Sequence, residues 1–424
     1  MAGAVEQSGR LGRPFAELWA SATASALSTG LVTVAAPLLV ASVTSSPLVV
    51  SGAFVVAWLP WLLFALPGGV LVDRVDRRRL MIGLDWGRVG ALAALALAIG
   101  TGTGGVAVVY AVLFVVNTCE IVARSASQAM VPAVVGTDQL ERANGWLIGS
   151  LTLMQGLVAG PLGGLLFVAA AALPFVAGAG GFAVSALLLT VIAGSYRAPR
   201  QEGAAVDRRW LPGVAAEVAE AFRWLMQQRL LRTMAVLIGL LNLTLTAATA
   251  VLVLVARDRL GLDSVGYGLL FSAMGVGGIL GSVLGERIIR LVTPTWTIRI
   301  GLLVEAGLHL ALATSRDAVL IGVAFAAFGV HGSLWGIVGS SLRQRLTPPH
   351  MLGRVGSTTL FIAAGGNCVG ALMGGVLASA AGLTAPYWVG FVVAVLVSAG
   401  TWRVFDRASV QEAYAATPTP TSTA

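Results

Sequence analysis

Long apolar segments, separated by short polar or glycine-rich breaks, run along the whole chain. Each segment is close to or longer than the roughly 20 residues with which an α-helix crosses a bilayer. Cuts at charges, prolines and glycine clusters give the segments 16–43, 48–72, 80–100, 105–127, 143–168, 171–194, 233–256, 265–286, 297–314, 317–341, 352–380 and 384–404. The pattern predicts an all-α membrane protein with 12 transmembrane helices.

The longest polar stretch, 195–232, divides six apolar segments from six. The predicted organisation is a cytoplasmic N-terminus at 1–15, a six-helix half at 16–194, a cytoplasmic linker at 195–232, a second six-helix half at 233–405 and a disordered cytoplasmic tail at 406–424. Within the linker, apolar residues from Glu217 to Arg232 recur at helical spacing among arginines. This pattern is typical of an amphipathic helix at a membrane surface, and it equally fits a cytosolic start of the seventh span.

Landmarks in the two halves recur at a nearly fixed offset. Gly69 matches Gly281 and the triplet 140–142 matches 352–354, both at 212 residues, and Gly160 and Gly164 match Gly370 and Gly374 at 210 residues. Because each half has an even number of spans, the repeat predicts two pseudo-symmetric halves of parallel topology. The transport site of such a protein is expected near the membrane midplane.

Composition agrees with a membrane protein and sets its orientation. Of the 424 residues, 57% are hydrophobic and 11% charged, whereas about 25% are charged in a soluble domain. The net charge of +8 comes from 27 arginines, and with both termini cytoplasmic only Arg257, Arg259 and Arg316 lie outside. This bias predicts the topology, and it explains the basic charge without a nucleic-acid partner. Cys119 and Cys368 fall in apolar segments and are interpreted as small core residues.

The loop after the second segment carries the densest charge in the chain. The sequence GGVLVDRVDRRR from Gly68 to Arg79 contains the predicted gating residues Gly69, Asp73, Arg74, Arg77 and Arg78, followed by Asp85 and Arg88 in the third segment. This loop resembles the signature of the major facilitator superfamily, with Asp76 where a glycine is usual. Asp85 and Arg88 are three residues apart on one helix face. They are expected to pair with each other and with Asp73 and Arg74, in a structural or gating role.

Further segments narrow the resemblance to one branch of that superfamily. The segments 128–132, 140–144 and 343–354 are similar to macrolide-efflux and siderophore-export proteins. The resemblance implies a monomeric drug:proton antiporter in the bacterial inner membrane, with a small-molecule substrate, protons and the lipid bilayer as its partners.

The fifth segment contains the glycines Gly156, Gly160 and Gly164 around Pro161. The glycines are four residues apart and share a helix face, so that a neighbouring helix can approach closely. Pro161 removes one backbone hydrogen bond and permits a bend. The pattern resembles the antiporter motif of proton-driven exporters, and ordinary small-residue packing is the alternative.

Ionisable residues at membrane depth are candidates for function, because burying a charge in lipid is costly. Glu120, with Asn117 before it and Arg124 after it, is the first candidate for a proton carrier; an ion pair with Arg124 is the structural alternative. Glu305 and His309 are four residues apart and able to touch. A structural hydrogen bond between them is favoured over proton exchange. His331 is a further proton-coupling candidate.

The resemblance implies that spans 1, 4, 7 and 10 line the substrate cavity. The candidate cavity residues, including the tryptophans of span 2, are Ser25, Thr29, Thr33, Trp58, Trp61, Asn117, Asn242, Thr246 and Trp335. Thr29 stands where related exporters often carry a carboxylate. Such a cavity suits a bulky, largely apolar molecule with a few hydrogen-bonding groups.

The sequence contains no phosphate-binding loop and no histidine–cysteine cluster, so it indicates no enzyme, cofactor or metal site. The predicted function is therefore proton-driven efflux of a bulky, largely apolar small molecule, such as an antibiotic or natural product, by alternating access. The alternatives are an importer of a small solute such as a sugar or a siderophore, and a transport-inactive membrane scaffold or sensor.

Overall fold

The computed structural model is an array of α-helices. It describes residues 11–197, 210–348 and 351–406, without the side chains at 65, 66, 68–70, 73, 137 and 210–218. The expected disordered tail after residue 406 and most of the expected N-terminal segment lie outside the described residues.

The predicted spans are helices with similar bounds. The α-helices are α1 Arg13–Val43, α2 Pro47–Arg74, α3 Arg77–Gly100, α4 Val106–Val134, α5 Leu140–Leu151, α6 Ala159–Ala169, α7 Leu173–Val191, α8 Trp210–Gln227, α9 Arg229–Ala250, α10 Leu252–Asp258, α11 Ser264–Val292, α12 Pro294–Thr314, α13 Ala318–Leu346, α14 Leu352–Ala381 and α15 Ala385–Thr401. Within the described ranges, 11 helical segments are long and apolar enough to cross a membrane, and α15 is a shorter apolar helix. The all-α membrane fold with 12 spans is confirmed.

Helix starts follow the local sequence. Asp76 caps α3 by accepting a hydrogen bond from the backbone N–H of Arg79, and Asp317 caps α13 through the N–H groups of Val319 and Leu320. Proline stands in the first turn of α7, α12 and α15, where its missing N–H leaves no helical bond unmade.

The fifth span is a composite of three helical pieces. A π-helix, Thr152–Val158, joins α5 to α6, and the N–H of Ala159 bonds to the carbonyl of Met154, five residues back. Pro161 has no N–H for the carbonyl of Leu157, four residues before it. That carbonyl instead accepts a hydrogen bond of 2.8 Å from the hydroxyl of Ser272 in α11.

The π-helix changes the register of the repeat. Gly163 faces α1 and Gly164 faces the start of α11, whereas Gly374 faces α9 and Gly375 faces the start of α2. The glycine pairs with corresponding neighbours are therefore 211 residues apart, and the predicted offset of 210 is wrong by one. This offset of 211 is one residue shorter than the 212 of the other landmarks. A π-helical turn inserts one extra residue into an α-helix, and the π-helix of the first half therefore accounts for the difference.

The chain forms two compact units. The first contains Met1–Val43, Leu59–Arg200 and Asp263–Ser272; in it α1 packs against α4, α5, α6 and α7, and α3 packs against α4 and α7. The second contains Thr44–Trp58, Gln201–Leu262 and Ala273–Ala424; in it α9 packs against α14 and α15, and α12 packs against α13 and α15.

The linker contains a helix separate from the seventh span. Helix α8 ends at Gln227, and the extended backbone of Gln228 breaks it from α9. Ala221 and Leu225 of α8 are buried against Met351 and Val355. Helix α8 is thus separate from α9 and packs on the first turn of α14.

Candidate functional site

The first unit contains a cavity of about 280 Å³, here called the first-unit cavity. It is lined by Ser21, Ala22, Ser25, Ala26, Met81, Asp85, Arg88, Glu120, Ala123, Arg124, Ser127, Gln128, Asn144, Leu147, Ile148, Leu151 and Ser185. Helices α1, α3, α4, α5 and α7 supply these residues. Most of the wall is apolar, and the charges are concentrated on α3 and α4.

An ion network is buried at this cavity. The guanidinium of Arg88 binds the carboxylate of Asp85, and its Nη1 lies 2.7 Å from Oε2 of Glu120. Only 1% of the Arg88 side chain and 2% of the Asp85 side chain are exposed, against 12% for Glu120. Arg88 also lies over the ring of Phe182, 4.3 Å from its centroid. One arginine thus pairs with both carboxylates, and the three groups together carry one net negative charge when both carboxylates are ionised.

Hydroxyl groups add further hydrogen bonds to both carboxylates of the network. Thr29 donates to Oε2 of Glu120 at 3.1 Å, and Ser185 donates to Oδ2 of Asp85 at 2.7 Å. The hydroxyl of Ser21 lies 2.8 Å from that of Ser185, and Arg88 reaches Ser25 at 3.3 Å. Ser21 and Ser185 were missed by the sequence analysis, because only the packing of α1 on α7 brings them together.

The structure corrects two expectations about these charges. Asp85 and Arg88 do pair, and their further partners are Ser185, Glu120 and Ser25 and not Arg74, while the side chain of Asp73 lies outside the described residues. Glu120 binds Arg88 and not Arg124, since Arg124 instead lies 5.9 Å from the ring centroid of Trp61. Sequence spacing identifies neighbours on the same helix. Which arginine binds Glu120 depends on how α3 packs against α4.

A second buried cluster lies in the second unit. Glu305 stands between two histidines, with Oε1 4.0 Å from Nδ1 of His309 and Oε2 4.0 Å from Nε2 of His331. The hydrogen bond expected between His309 and Glu305 runs from Nδ1 of His309 to the backbone carbonyl of Glu305 at 2.9 Å, and not to its carboxylate. Among the described groups, Oε1 of Glu305 and Nε2 of His309 have no hydrogen-bond partner.

Two glycines make room for this cluster. A Cβ atom at Gly301 would collide with the ring of His331, and one at Gly390 would collide with the ring of His309. Glu305 is 2% exposed and His309 fully buried, while His331 is 7% exposed at a small, mostly apolar cavity between α11, α12 and α13. The cluster is therefore sealed by close helix packing.

The predicted cavity residues divide into two groups. Ser25 lines the first-unit cavity, Thr29 and Trp61 contact its charged residues, and Trp335 lines a cavity of about 210 Å³ in the second unit. This second-unit cavity is lined by Leu225, Leu231, Met234, Ala235, Ile238, Trp335, Gly336, Gly339, Ser340, Arg343, Val355 and Thr359.

The other predicted cavity residues line neither cavity. Thr33, Asn117 and Asn242 donate to carbonyls four residues back in their own helices. Thr246 is buried and donates to the side chain of Asn367 at 2.7 Å. Trp58 belongs to the second unit. Polar type and helix membership predict a cavity position only when the helix is rotated so that the residue faces the cavity.

Two arginines of the predicted gating loop bind backbone carbonyls of neighbouring helices. Arg78 donates to the carbonyls of Leu189 and Thr190 at 2.7 and 2.6 Å, and Arg77 donates to the carbonyl of Ala129 at 3.0 Å. These arginines bind the C-terminal ends of α7 and α4, where a helix dipole favours positive charge. Arg74 is exposed. The surroundings of Gly69 and the side chain of Asp73 lie outside the described residues.

The predicted small-residue face of the fifth span packs closely. A Cβ atom at Gly160 would collide with the carbonyl oxygen of Gly268, and one at Gly164 with the carbonyl oxygen of Ser264. Gly156 lies in the π-helix, and Pro161 lies in α6. The glycines of this motif thus allow α6 and α11 to approach closely, and Pro161 leaves the carbonyl of Leu157 available to Ser272.

Comparison with known proteins places this architecture among transporters. The multidrug efflux pump Tap of Mycolicibacterium fortuitum is 29% identical over 87% of this chain and 90% of its own length. The enterobactin exporter EntS of Escherichia coli is 26% identical over 83% of this chain and 82% of its own. Macrolide efflux protein A of Streptococcus pyogenes is 30% identical over 31% of this chain and 33% of its own.

A solved structure and a protein family complete the comparison. The crystal structure of a variant of the nucleoside transporter NupG matches with a TM-score of 0.76 at 11% identity, over 93% of this chain and 100% of that chain, which supports the fold. Residues 12–419 match the family described as "Transmembrane secretion effector". The chain is therefore a multi-pass membrane transporter that belongs to this family of the major facilitator superfamily.

Proposed function

We propose that the protein exports a small organic molecule from the bacterial cytoplasm by alternating access, driven by protons that bind Glu120. The observation that carries the proposal is the ion network of Glu120, Arg88 and Asp85 at the first-unit cavity. The names of Tap, EntS and macrolide efflux protein A support export as the direction. The apolar wall of the cavity suits the body of a small organic substrate.

Glu120 is suited to exchange a proton because its partner, Arg88, also binds Asp85. Protonation of Glu120 removes its ion pair with Arg88, and Arg88 retains its pair with Asp85. The network therefore has two charge states that leave no buried carboxylate without a partner. A conformational cycle needs such a difference in interactions between its states.

Access to water distinguishes Glu120 from the other candidates. The Glu120 side chain is 12% exposed and lines the cavity, so a proton can reach it through water. Glu305 is 2% exposed and enclosed by His309 and His331. We assign the proton-coupling role to Glu120 and a packing role to the Glu305 cluster.

The test is transport by Glu120→Gln in everted membrane vesicles of a host that lacks its own pumps. Vesicles energised by respiration take up fluorescent dyes and labelled antibiotics when the wild-type protein exports them, and an uncoupler abolishes this uptake. We expect Glu120→Gln to lower the uncoupler-sensitive uptake about tenfold or more, the effect of deleting one charged hydrogen-bond partner. Glu220→Gln, at an exposed ion pair with Arg354, is the matched control with unchanged uptake.

Other outcomes contradict the proposal in distinct ways. Accumulation in intact cells that rises with the gradient indicates an importer. A wild-type protein that moves no compound of a broad panel is a scaffold or sensor. Full coupling in Glu120→Gln together with lost coupling in Glu305→Gln moves the proton site to the second unit.

A further inference from the structure

The four charged side chains at the first-unit cavity are not equally partnered. Asp85 and Glu120 both bind Arg88, so one arginine already occupies the two carboxylates. Arg124 lines the same cavity and is exposed. No carboxylate in the described part of the chain forms an ion pair with it. The cavity therefore offers one arginine without an acidic partner, and no carboxylate without a basic one.

The surroundings of Arg124 are suited to an organic anion. Its guanidinium presents N–H donors in a planar fork that matches the two oxygens of a carboxylate. Ser127, Gln128 and Asn144 line the same cavity and add hydroxyl and amide donors. The ring of Trp61, 5.9 Å from the guanidinium, supports the positive charge from the other side.

Arg124 lies well inside α4, where an anionic partner would stabilise its charge. Arg124 precedes the end of α4 at Val134 by ten residues, or about 15 Å along the helix. An arginine at such depth is costly unless it is hydrated or paired. The apolar wall of the cavity is formed by residues of α1 and α5, namely Ala22, Ala26, Leu147, Ile148 and Leu151. A molecule that fills this cavity thus meets both a cation and hydrocarbon.

We propose that the substrate is an amphipathic organic acid whose anionic group binds Arg124 while its apolar body lies against the apolar wall. A cationic drug would have to displace Arg88 from Glu120 or Asp85 to find a carboxylate. Transport of this acid as a substrate rests on the proposed function, whereas its binding at Arg124 does not. Binding and transport are therefore tested separately.

Binding is measured on the purified full-length protein with one molecular frame in three charge states. The probes are naphthaleneacetic acid, naphthaleneacetamide and naphthylethylamine, titrated by calorimetry in detergent. We expect the acid to bind about tenfold or more tightly than the amide, the effect of a charge-assisted pair. We expect the amine to bind most weakly. Equal binding of the three probes, or a preference for the amine, overturns the inference.

Variants locate the preference. Arg124→Gln is expected to reduce binding of the acid to the level of the amide, and Arg124→Lys to retain part of the preference because the charge remains. Arg223→Gln, at an exposed position on α8, is the control with unchanged binding. A preference that survives in Arg124→Gln shows that the acid binds elsewhere and contradicts the inference. Thermal unfolding of each variant confirms that the protein is folded.

Transport separates this inference from the proposed function. The same probes are offered to energised everted vesicles. Acid uptake that requires Arg124 supports both proposals. Uptake of amide and amine equal to that of the acid leaves export standing and overturns the acidic substrate. Binding of the acid through Arg124 without uptake of any probe supports the anion site and contradicts export of the probes.

Discussion

Asp76 holds three parts of the first unit together. Its Oδ1 caps α3 at the N–H of Arg79, and its Oδ2 accepts 2.8 and 2.9 Å hydrogen bonds from the Ser195 hydroxyl and the Tyr196 N–H. A glycine, usual here in the superfamily, has no side chain for these bonds. The same carboxylate thus fixes the start of α3 and the chain that leaves α7 toward the linker.

We predict that Asp76→Ala destabilises the protein more than loss of a helix cap alone. Asp317→Ala is the matched comparison, because Asp317 caps α13 and makes no further side-chain contact in the described structure. Loss of a cap costs about 0.5–2 kcal/mol, and two further hydrogen bonds add about 1 kcal/mol each. Thermal unfolding in detergent measures both variants, and equal losses contradict the prediction.

The stabilisation by Asp76 depends on pH. Burial raises the pKa of Asp76, but the hydrogen bonds from Arg79, Tyr196 and Ser195 and the charge of Arg79 outweigh this, so that its pKa is lowered below the usual value. The stabilisation is therefore fully present above about pH 4, the unfolded-state pKa of aspartate, and is lost as the pH falls through the lower folded-state pKa. The stability difference between wild type and Asp76→Ala should be constant from pH 5 to 8 and shrink below about pH 4.

The chemical type of a site residue was readable from the sequence, and its partner was not. Glu120 stood out as a carboxylate in an apolar segment. Its partner Arg88 lies 32 residues away, whereas the sequence offered the nearer Arg124 as an alternative partner. Pairing across helices depends on how α3 and α4 are rotated against each other, which a pattern of charges does not specify.

At the scale of elements, the fifth span shows how a motif becomes a contact. The glycines predicted a close helix approach, and Gly160 and Gly268 indeed face each other backbone to backbone. The π-helix was not predicted, because its sequence is as apolar as the rest of the span. It was visible only indirectly, as the changed offset between the glycines of the two halves.

We predict that Gly164→Val destabilises the protein by about 1–3 kcal/mol, the usual cost of overpacking. The new side chain would collide with the backbone of Ser264. Gly180→Val is the control, because a Cβ atom at the exposed Gly180 meets nothing within 4 Å and carries the same helix propensity cost. Thermal unfolding of the two variants in one detergent compares them. Similar stability of the two would show that the contact tolerates a side chain.

At the scale of the whole molecule, the internal repeat has a structural counterpart in the two cavities. Ala22, Ala26, Gln128 and Leu147 line the first-unit cavity, and the residues 212 positions later, Met234, Ile238, Ser340 and Thr359, line the second-unit cavity. The ion network has no such counterpart, since the positions 212 residues after Asp85, Arg88 and Glu120 are Thr297, Ile300 and Gly332. The two halves therefore form cavities at equivalent positions. They differ at the residues of the ion network, which lies in the first half.

The arginine bias predicts that Ser315 lies outside the cell and Arg223 inside. Single-cysteine chains test this, with Cys119 and Cys368 replaced by serine and with Ser315→Cys or Arg223→Cys added. A membrane-impermeant maleimide should label Ser315→Cys in intact cells and Arg223→Cys only after permeabilisation. Labelling in the opposite order would invert the predicted topology, and with it the orientation of the protein in the proton gradient.

The sequence by itself determined the membrane class, the spans and the glycine contact, because lipid demands long apolar helices and close approach demands small residues. It also determined which residues carry charge at membrane depth. Only the tertiary structure decided that Arg88 joins Asp85 to Glu120, that Asp76 holds the chain after α7, and that Arg124 faces a cavity without an acidic partner among the described residues. These outcomes depend on the rotation and the register of each helix. A single inserted residue changes both, and the pattern of hydrophobic residues does not specify them.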